Sequence, residues 1–193
     1  ILEHRDDVPC SIYTSNHISV ATIPLDHRLP TTGYLFREVR PKRRIRAAMI
    51  DKYQIPYKEI AAIQDGAPFI SKGGVTIPNI ELTIDAPSPS SYAYCSDTAY
   101  CPDIIEQIKQ VQILYHESTF LSDLTDEAVR RKHSTAAQAA QIARKASVKK
   151  LLLGHFSSRY KDLVPFLTEA QEIFKNAHVC VDGQQFSFKE LES

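Results

Sequence analysis

The sequence predicts an α/β fold that carries its reactive groups where strands end, and three observations predict it. Apolar runs at 92–95, 111–115 and 151–153 each stop at a polar group, and those groups are Asp97, His116-Glu117 and Gly154-His155. From Ser91 onward, strand patterns alternate with helix patterns, as in an open sheet crossed by helices. Before that point, residues 41–91 are crowded with Pro56, Gly66, Pro68, Gly73, Gly74, Pro78, Pro87 and Pro89. Breakers at that density mark an excursion from the core. In open α/β sheets ligands gather outside the carboxyl ends of the strands, which is where Asp97, Glu117 and His155 stand.

Taken in order, residues 12–39 hold strand-forming stretches at 18–23 and 34–36, favoured by Thr, Val, Tyr and Phe. The segment Pro24-Leu25-Asp26-His27-Arg28-Leu29-Pro30-Thr31-Thr32-Gly33 between them has two prolines and a glycine, so it reads as a loop with His27 on it. Residues 44–53 fit a short helix. A strand at 92–95 leads to a helix over 102–109, with Pro102 suited to its first turn. After a strand at 111–115, His133-Ser134-Thr135 opens a helix. There Thr135 and Gln138 have capping-box spacing, and Ala139, Ala140, Ala143 and Ala146 give a small, close-packing face. A strand at 150–153 follows. Pro165 starts a helix with Phe166, Leu167, Ala170, Ile173 and Phe174 on its apolar side, and a strand at 178–181 ends in Asp182-Gly183.

With 193 residues and 43% apolar content, the chain suits one globular domain with a sizeable core. No apolar run approaches the roughly 18 residues of a membrane span, so a membrane partner is not expected. The start, Ile1-Leu2-Glu3-His4-Arg5-Asp6-Asp7, has no initiator Met and no signal pattern, and it reads as the middle of a longer protein. Cys10, Cys95, Cys101 and Cys180 form no C-x-x-C pair, which suits the free thiols of a cytoplasmic protein. Formal charge balances at 23 basic and 23 acidic groups, so no global field draws the chain to nucleic acid. Locally, Arg37, Arg40, Lys42, Arg43, Arg44 and Arg46 face the single acid Glu38. Such a cluster is either a solvated face or an arm that contacts phosphates without reading bases.

The groups able to do chemistry are His27, Asp97, His116, Glu117, His133, His155 and Asp182. Imidazole and carboxylate ligands without thiolate suit Zn²⁺ or Mn²⁺ in a hydrolytic site, and a carboxylate such as Asp97 can bridge two ions about 3.5 to 4 Å apart. Each group also has a plainer reading. His27 can be a solvated loop residue, and His116, after a buried strand, suits core hydrogen bonding better than ligation. Glu117 can orient a neighbouring imidazole. His133 can cap the helix it precedes or give a proton to a leaving group, and Asp182-Gly183 is an ordinary turn pair.

The runs Ser96-Asp97-Thr98, His116-Glu117-Ser118-Thr119-Phe120, His133-Ser134-Thr135 and Gly154-His155-Phe156-Ser157-Ser158-Arg159-Tyr160, with the loop around His27, resemble ribonuclease Z. That family comprises tRNA 3′-processing endonucleases of the metallo-β-lactamase superfamily. The resemblance implies two zinc ions per intact active site, Mn²⁺ being an alternative, with His27 on one, His155 on the other and Asp97 bridging. It implies His133 assisting the departing oxygen with Glu117 as its partner, and Arg159 near the substrate backbone. Residues 37–91, with Arg43 and Arg44, then correspond to the arm that clamps precursor tRNA in the homodimer, and Asp182 to the site for the tRNA 3′ end. The family's H-x-H-x-D-H motif is absent, so the resemblance makes this chain the C-terminal half of an αββα sandwich, inactive alone and lacking the N-terminal half of the same protein. His4 and His17 are the other side chains available to complete a site. Ile55-Pro56 is followed by Tyr57-Lys58 where the family's arm has a Gly-Pro turn, and Cys180 replaces Ala in its A-x-D motif. The sheet face that a missing half leaves open is suited to pairing with a second copy. The alternatives left open are a non-catalytic RNA-binding or dimerisation module and an RNA 3′ exonuclease of the same superfamily.

Overall fold

In chain order, β1 (Ser11–Thr14), β2 (Ile18–Leu25) and β3 (Thr31–Glu38) form an antiparallel meander. In the computed structural model, which describes residues 8–39, 42–86 and 89–188, the chain divides into two compact units. The meander belongs to the first. Its strands run into what the sequence reads as loop, because Pro24 and Leu25 pair with Thr32 and Thr31.

The second unit, Val39–Pro89, contains β4 (Arg44–Ile45), α1 (Ala47–Tyr53), α2 (Tyr57–Gln64), β5 (Phe69–Ile70), β6 (Thr76–Ile77), α3 (Asn79–Leu82) and β7 (Thr83–Ile84). Ile55, Ile63, Phe69, Ile77 and Leu82 form its own core. The Asn79 amide ties its turns together by donating to the carbonyls of Ile63 and Ala67, both at 2.7 Å. Arg44 is in a strand rather than a helix, since β4 pairs with β7 and the helix begins only after Arg46. Arg40, Pro41, Pro87 and Ser88 lie outside the described residues.

The chain then completes the first unit with β8 (Ser91–Cys95), β9 (Ile113–Glu117), β10 (Lys150–Gly154) and β11 (Ala177–Val179), all parallel to one another. The seven-stranded sheet has the order β1-β2-β3-β8-β9-β10-β11, antiparallel on one side and parallel on the other. Between the parallel strands lie α4 (Thr125–Arg131), α5 (Ala136–Lys145) and α6 (Val164–Ile173). The alanines of α5 let it lie close on the sheet: Ala136, Ala139, Ala140 and Ala143 are fully buried with Ile142, beside Phe166 and Ala170 of α6. Its start is secured by a capping box, with Gln138 N donating to Thr135 Oγ1 at 3.2 Å and Thr135 N to Gln138 Oε1 at 3.0 Å.

Further elements differ from their sequence expectation, among them the last strand, which spans Ala177–Val179 instead of 178–181. Residues 102–109 make a 3₁₀ turn at Pro102–Ile104 followed by further turns, not an α-helix. Gln110 takes a left-handed conformation (φ 58°) and stops the segment after so few residues that a helix nucleus has little to propagate into. Strand β9 is displaced toward its end and includes His116 and Glu117, because pairing with β10 continues to Glu117 opposite Gly154. Among the described residues no helix is long and apolar enough to cross a membrane, and all four cysteines are free thiols.

Candidate metal centre

Three of the four parallel strands, β8, β9 and β10, lead to one place. Asp97 follows β8 and His155 follows β10, each with left-handed backbone, at φ 55° and 57°. Outside glycine that conformation is uncommon, and it clusters where a side chain must be aimed. Glu117 closes β9, and His133 precedes the capped start of α5. One ligand atom from each of Asp97, Glu117, His133 and His155 lies within 4.8 Å of the others.

Glu117 is fully buried and is the hub. Its Oε1 accepts from Thr98 N and His133 Nδ1, both at 2.7 Å. Its Oε2 accepts from the Thr119 hydroxyl at 2.6 Å and from the amides of Ser134 and Thr119 at 3.1 and 3.2 Å. Burial alone would push this carboxyl up, yet the hydrogen bonds from His133, Thr119 and Ser134 outweigh it and hold the group below the usual carboxylate range. With its lone pairs so occupied, Glu117 is suited to orient His133 rather than to ligate.

The His133 ring lies between two other imidazoles, with centroids 5.0 Å from His27 and 5.3 Å from His155. His27 Nδ1 is 2.8 Å from the Lys132 carbonyl, which only accepts, so Nδ1 carries the proton and Nε2 keeps its lone pair. The His27 loop is held to the same turn by Lys132 Nζ, 2.9 Å from both oxygens of Asp26. Thr98 adds a further tie, its hydroxyl accepting from Asp26 N at 3.1 Å. His155 Nε2 and Asp97 Oδ1 face each other at 3.1 Å, so an imidazole and a carboxylate converge as a borderline divalent cation requires.

The remaining sequence candidates fall in different places. His116 is fully buried and hydrogen-bonds the Glu117 carbonyl through Nδ1 at 2.7 Å, and burial pushes its imidazole below the ordinary value. Arg159 lies over the Phe120 ring, 5.1 Å from its centroid, and that ring is 6.3 Å from His133. Asp182 is exposed, just past β11 at the edge of the sheet, and is not in the cluster. In the second unit Arg43 pairs with Asp85 and donates to Thr83 Oγ1 at 2.7 Å, while Arg44 is exposed. His17 does not serve the site: it precedes β2 while His27 follows it, and eight strand residues separate the two by about 25 Å. His4 lies outside the described residues. Thr98, Thr119 and Ser134 stand in the sequence runs that carry the resemblance, but the sequence alone assigns them no role.

Beside the cluster, Tyr115 covers Gly154. A Cβ at Gly154 would stand 2.2 Å from the Tyr115 hydroxyl oxygen. Burial pushes that hydroxyl up to about 12, and the ring stacks on Tyr94 with centroids 4.8 Å apart.

No family model matches the chain. It is 45% identical over 181 residues to ribonuclease Z of Phocaeicola vulgatus, covering 94% of this chain and 59% of that protein. It is 46% identical over 172 residues to ribonuclease Z of Bacteroides thetaiotaomicron, covering 89% and 54%. The chain thus spans little more than half the length of the curated relatives it matches. Among solved structures it is similar to the metallo-β-lactamase fold protein YhfI from Bacillus subtilis, with a TM-score of 0.58, 16% identity, and coverage of 95% of this chain and 54% of that one. The short form of human tRNase Z gives 0.56, 17% identity, 95% and 48%, and a long form RNase Z from yeast gives 0.59, 17% identity, 91% and 18%. At such identities these likenesses establish the fold, and the fold is that of the metallo-β-lactamase proteins.

Proposed function

Over nearly its whole length the chain is homologous to part of ribonuclease Z, and from that premise we propose that it is the C-terminal portion of a zinc-dependent endoribonuclease that removes 3′ trailers from precursor tRNA. The observation that carries this reading is the convergence of Asp97, Glu117, His133 and His155 at the ends of three parallel strands. His27, His155 and Asp97 are the residues that would hold the ions, with Asp97 as the shared ligand. Zinc in such a site supplies Lewis acidity and lowers the proton affinity of an attacking water, and Mn²⁺ can serve the same donors.

This chain's own residues do the rest. His133, as an imidazolium with Nδ1–H held by Glu117, gives its Nε2 proton to the departing oxygen and is left neutral. Arg159, fixed over Phe120, meets the phosphate backbone, and Asp182 meets the tRNA 3′ end. Arg43 and Arg44, in the arm formed by the second unit, Val39–Pro89, add phosphate contacts that position without reading sequence. The ligands that this chain lacks come from an N-terminal half of the same protein packed on the open sheet face, so the chain alone is inactive. The intact enzyme is a cytoplasmic homodimer.

In the intact protein, Asp97→Ala is expected to lower cleavage of a precursor tRNA by more than about 100-fold and to leave tRNA binding nearly unchanged in a filter assay. Unimpaired turnover would remove the bridging role and the reading with it.

A further inference from the structure

A hydroxyl that belongs to no charged pair sits at the junction of the site. Thr119 is buried at 7% exposure, and its Oγ1 lies 2.6 Å from Glu117 Oε2, 2.9 Å from His155 Nδ1 and 3.0 Å from the His155 carbonyl. We propose that Thr119 is a positioning residue that fixes the tautomer of His155, so that Nε2 is the bare nitrogen facing Asp97. The proposal rests on His155 being a metal ligand, as assigned above.

The number of protons available fixes the tautomer. A threonine hydroxyl has one proton to give and two lone pairs to accept with. Glu117 receives N–H groups from Thr98, His133, Ser134 and Thr119 itself, so its carboxylate acts only as an acceptor. Of the two acceptors in reach, the Glu117 carboxylate at 2.6 Å and the His155 carbonyl at 3.0 Å, the charged and nearer carboxylate takes the Thr119 proton. What remains toward His155 is a lone pair, and only an N–H can satisfy it. Nδ1 is therefore the protonated nitrogen, and Nε2 keeps its lone pair 3.1 Å from Asp97 Oδ1. Two acceptors then face each other, and a cation held by both residues would reconcile them. His27 reaches the same state through the Lys132 carbonyl, so both imidazoles assigned as ligands are oriented by an acceptor behind them. Outer partners of this kind are typically worth 10- to 100-fold in metal affinity.

The test compares Thr119→Val, which removes the hydroxyl at nearly constant shape, with Thr119→Ser, which keeps it. Long-range ¹H–¹⁵N spectra of the metal-free 193-residue chain, at mildly alkaline pH where imidazole is neutral, report which nitrogen of His155 carries the proton. The expected result is Nδ1–H in the wild type and in Thr119→Ser, and a shift toward Nε2–H in Thr119→Val. Zinc affinity by chelator competition should fall about 10- to 100-fold in Thr119→Val and stay near wild type in Thr119→Ser. An Nε2–H tautomer in the wild type overturns the proposal even if Thr119→Val fails to fold. An unchanged tautomer in a folded Thr119→Val overturns it while leaving the metal reading intact. An intact protein that shows the Nδ1–H tautomer but binds no zinc supports the tautomer assignment and counts against the metal reading alone.

Discussion

The two faces of the seven-stranded sheet are built from the same strands by opposite rules. On one face Ile23, Leu35, Ala93, Cys95, Leu114, Leu151 and Leu153 are nearly or fully buried in one core with the apolar residues of α5 and α6. On the other, Tyr34, Tyr94 and Tyr115 stand side by side across β3, β8 and β9, and Phe36, Tyr92 and Ile113 form the next row. Tyr34 and Tyr94 remain 38% and 37% exposed. Phe186 and Phe188 close part of that second face over Ile18, Ile113 and Leu152 and leave a cavity of about 460 Å³. Aliphatic packing covered by helices makes the first face a finished core. The second is aromatic, stacked and half open, as expected of a surface that something else is to cover.

This contrast can be broken by measurement. The largest difference is expected between Leu153→Ala on the helix-covered face, at about 2 to 5 kcal/mol, and Tyr94→Ala on the open face, at about 0.5 to 1.5 kcal/mol. Denaturant unfolding of both variants reads the two costs, and equal values would mean that the second face is as finished as the first. Next comes Gly154→Ala. Its methyl collides with the Tyr115 hydroxyl, so overpacking should cost about 1 to 3 kcal/mol and move the Tyr115 resonance; a silent substitution would show that the tyrosine is not seated there. The smallest effect is one of reactivity only. Cys95 sits fully buried on the helix-covered face, where burial pushes its thiol up, whereas Cys10 is exposed. A thiol reagent should label Cys10 in the native protein and Cys95 only on unfolding.

Much of the first unit was legible in advance, for a physical reason in each case. The apolar run ending at Gly154-His155 marks a strand buried on both faces, the run ending at Asp97 marks one buried at alternate residues, and the Thr135/Gln138 spacing announces the start of α5. The two-residue strands of the second unit carry too little periodicity to be read, and α4 hides its single buried alanine among charges. The tyrosine row exists only once register is known, since Tyr34 and Tyr94 are sixty residues apart in the chain. Thr119 was unreadable for a similar reason: a hydroxyl two residues past a strand's glutamate looks like any turn residue until His155 is brought beside it.

The Glu117 carboxylate has a consequence for how the chain assembles. Its donors come from residues 98, 119, 133 and 134, so no local stretch satisfies it, and a charge withdrawn from water with empty lone pairs is costly. Partly docked arrangements, in which β8 and β9 are joined but the start of α5 is out of place, therefore leave that charge short of partners. A slip of one residue in β9 would turn Glu117 away from all its donors together. The group that aims His133 thus also acts as a registration key for the parallel half of the sheet, rejecting near-native pairings that apolar side chains alone would tolerate.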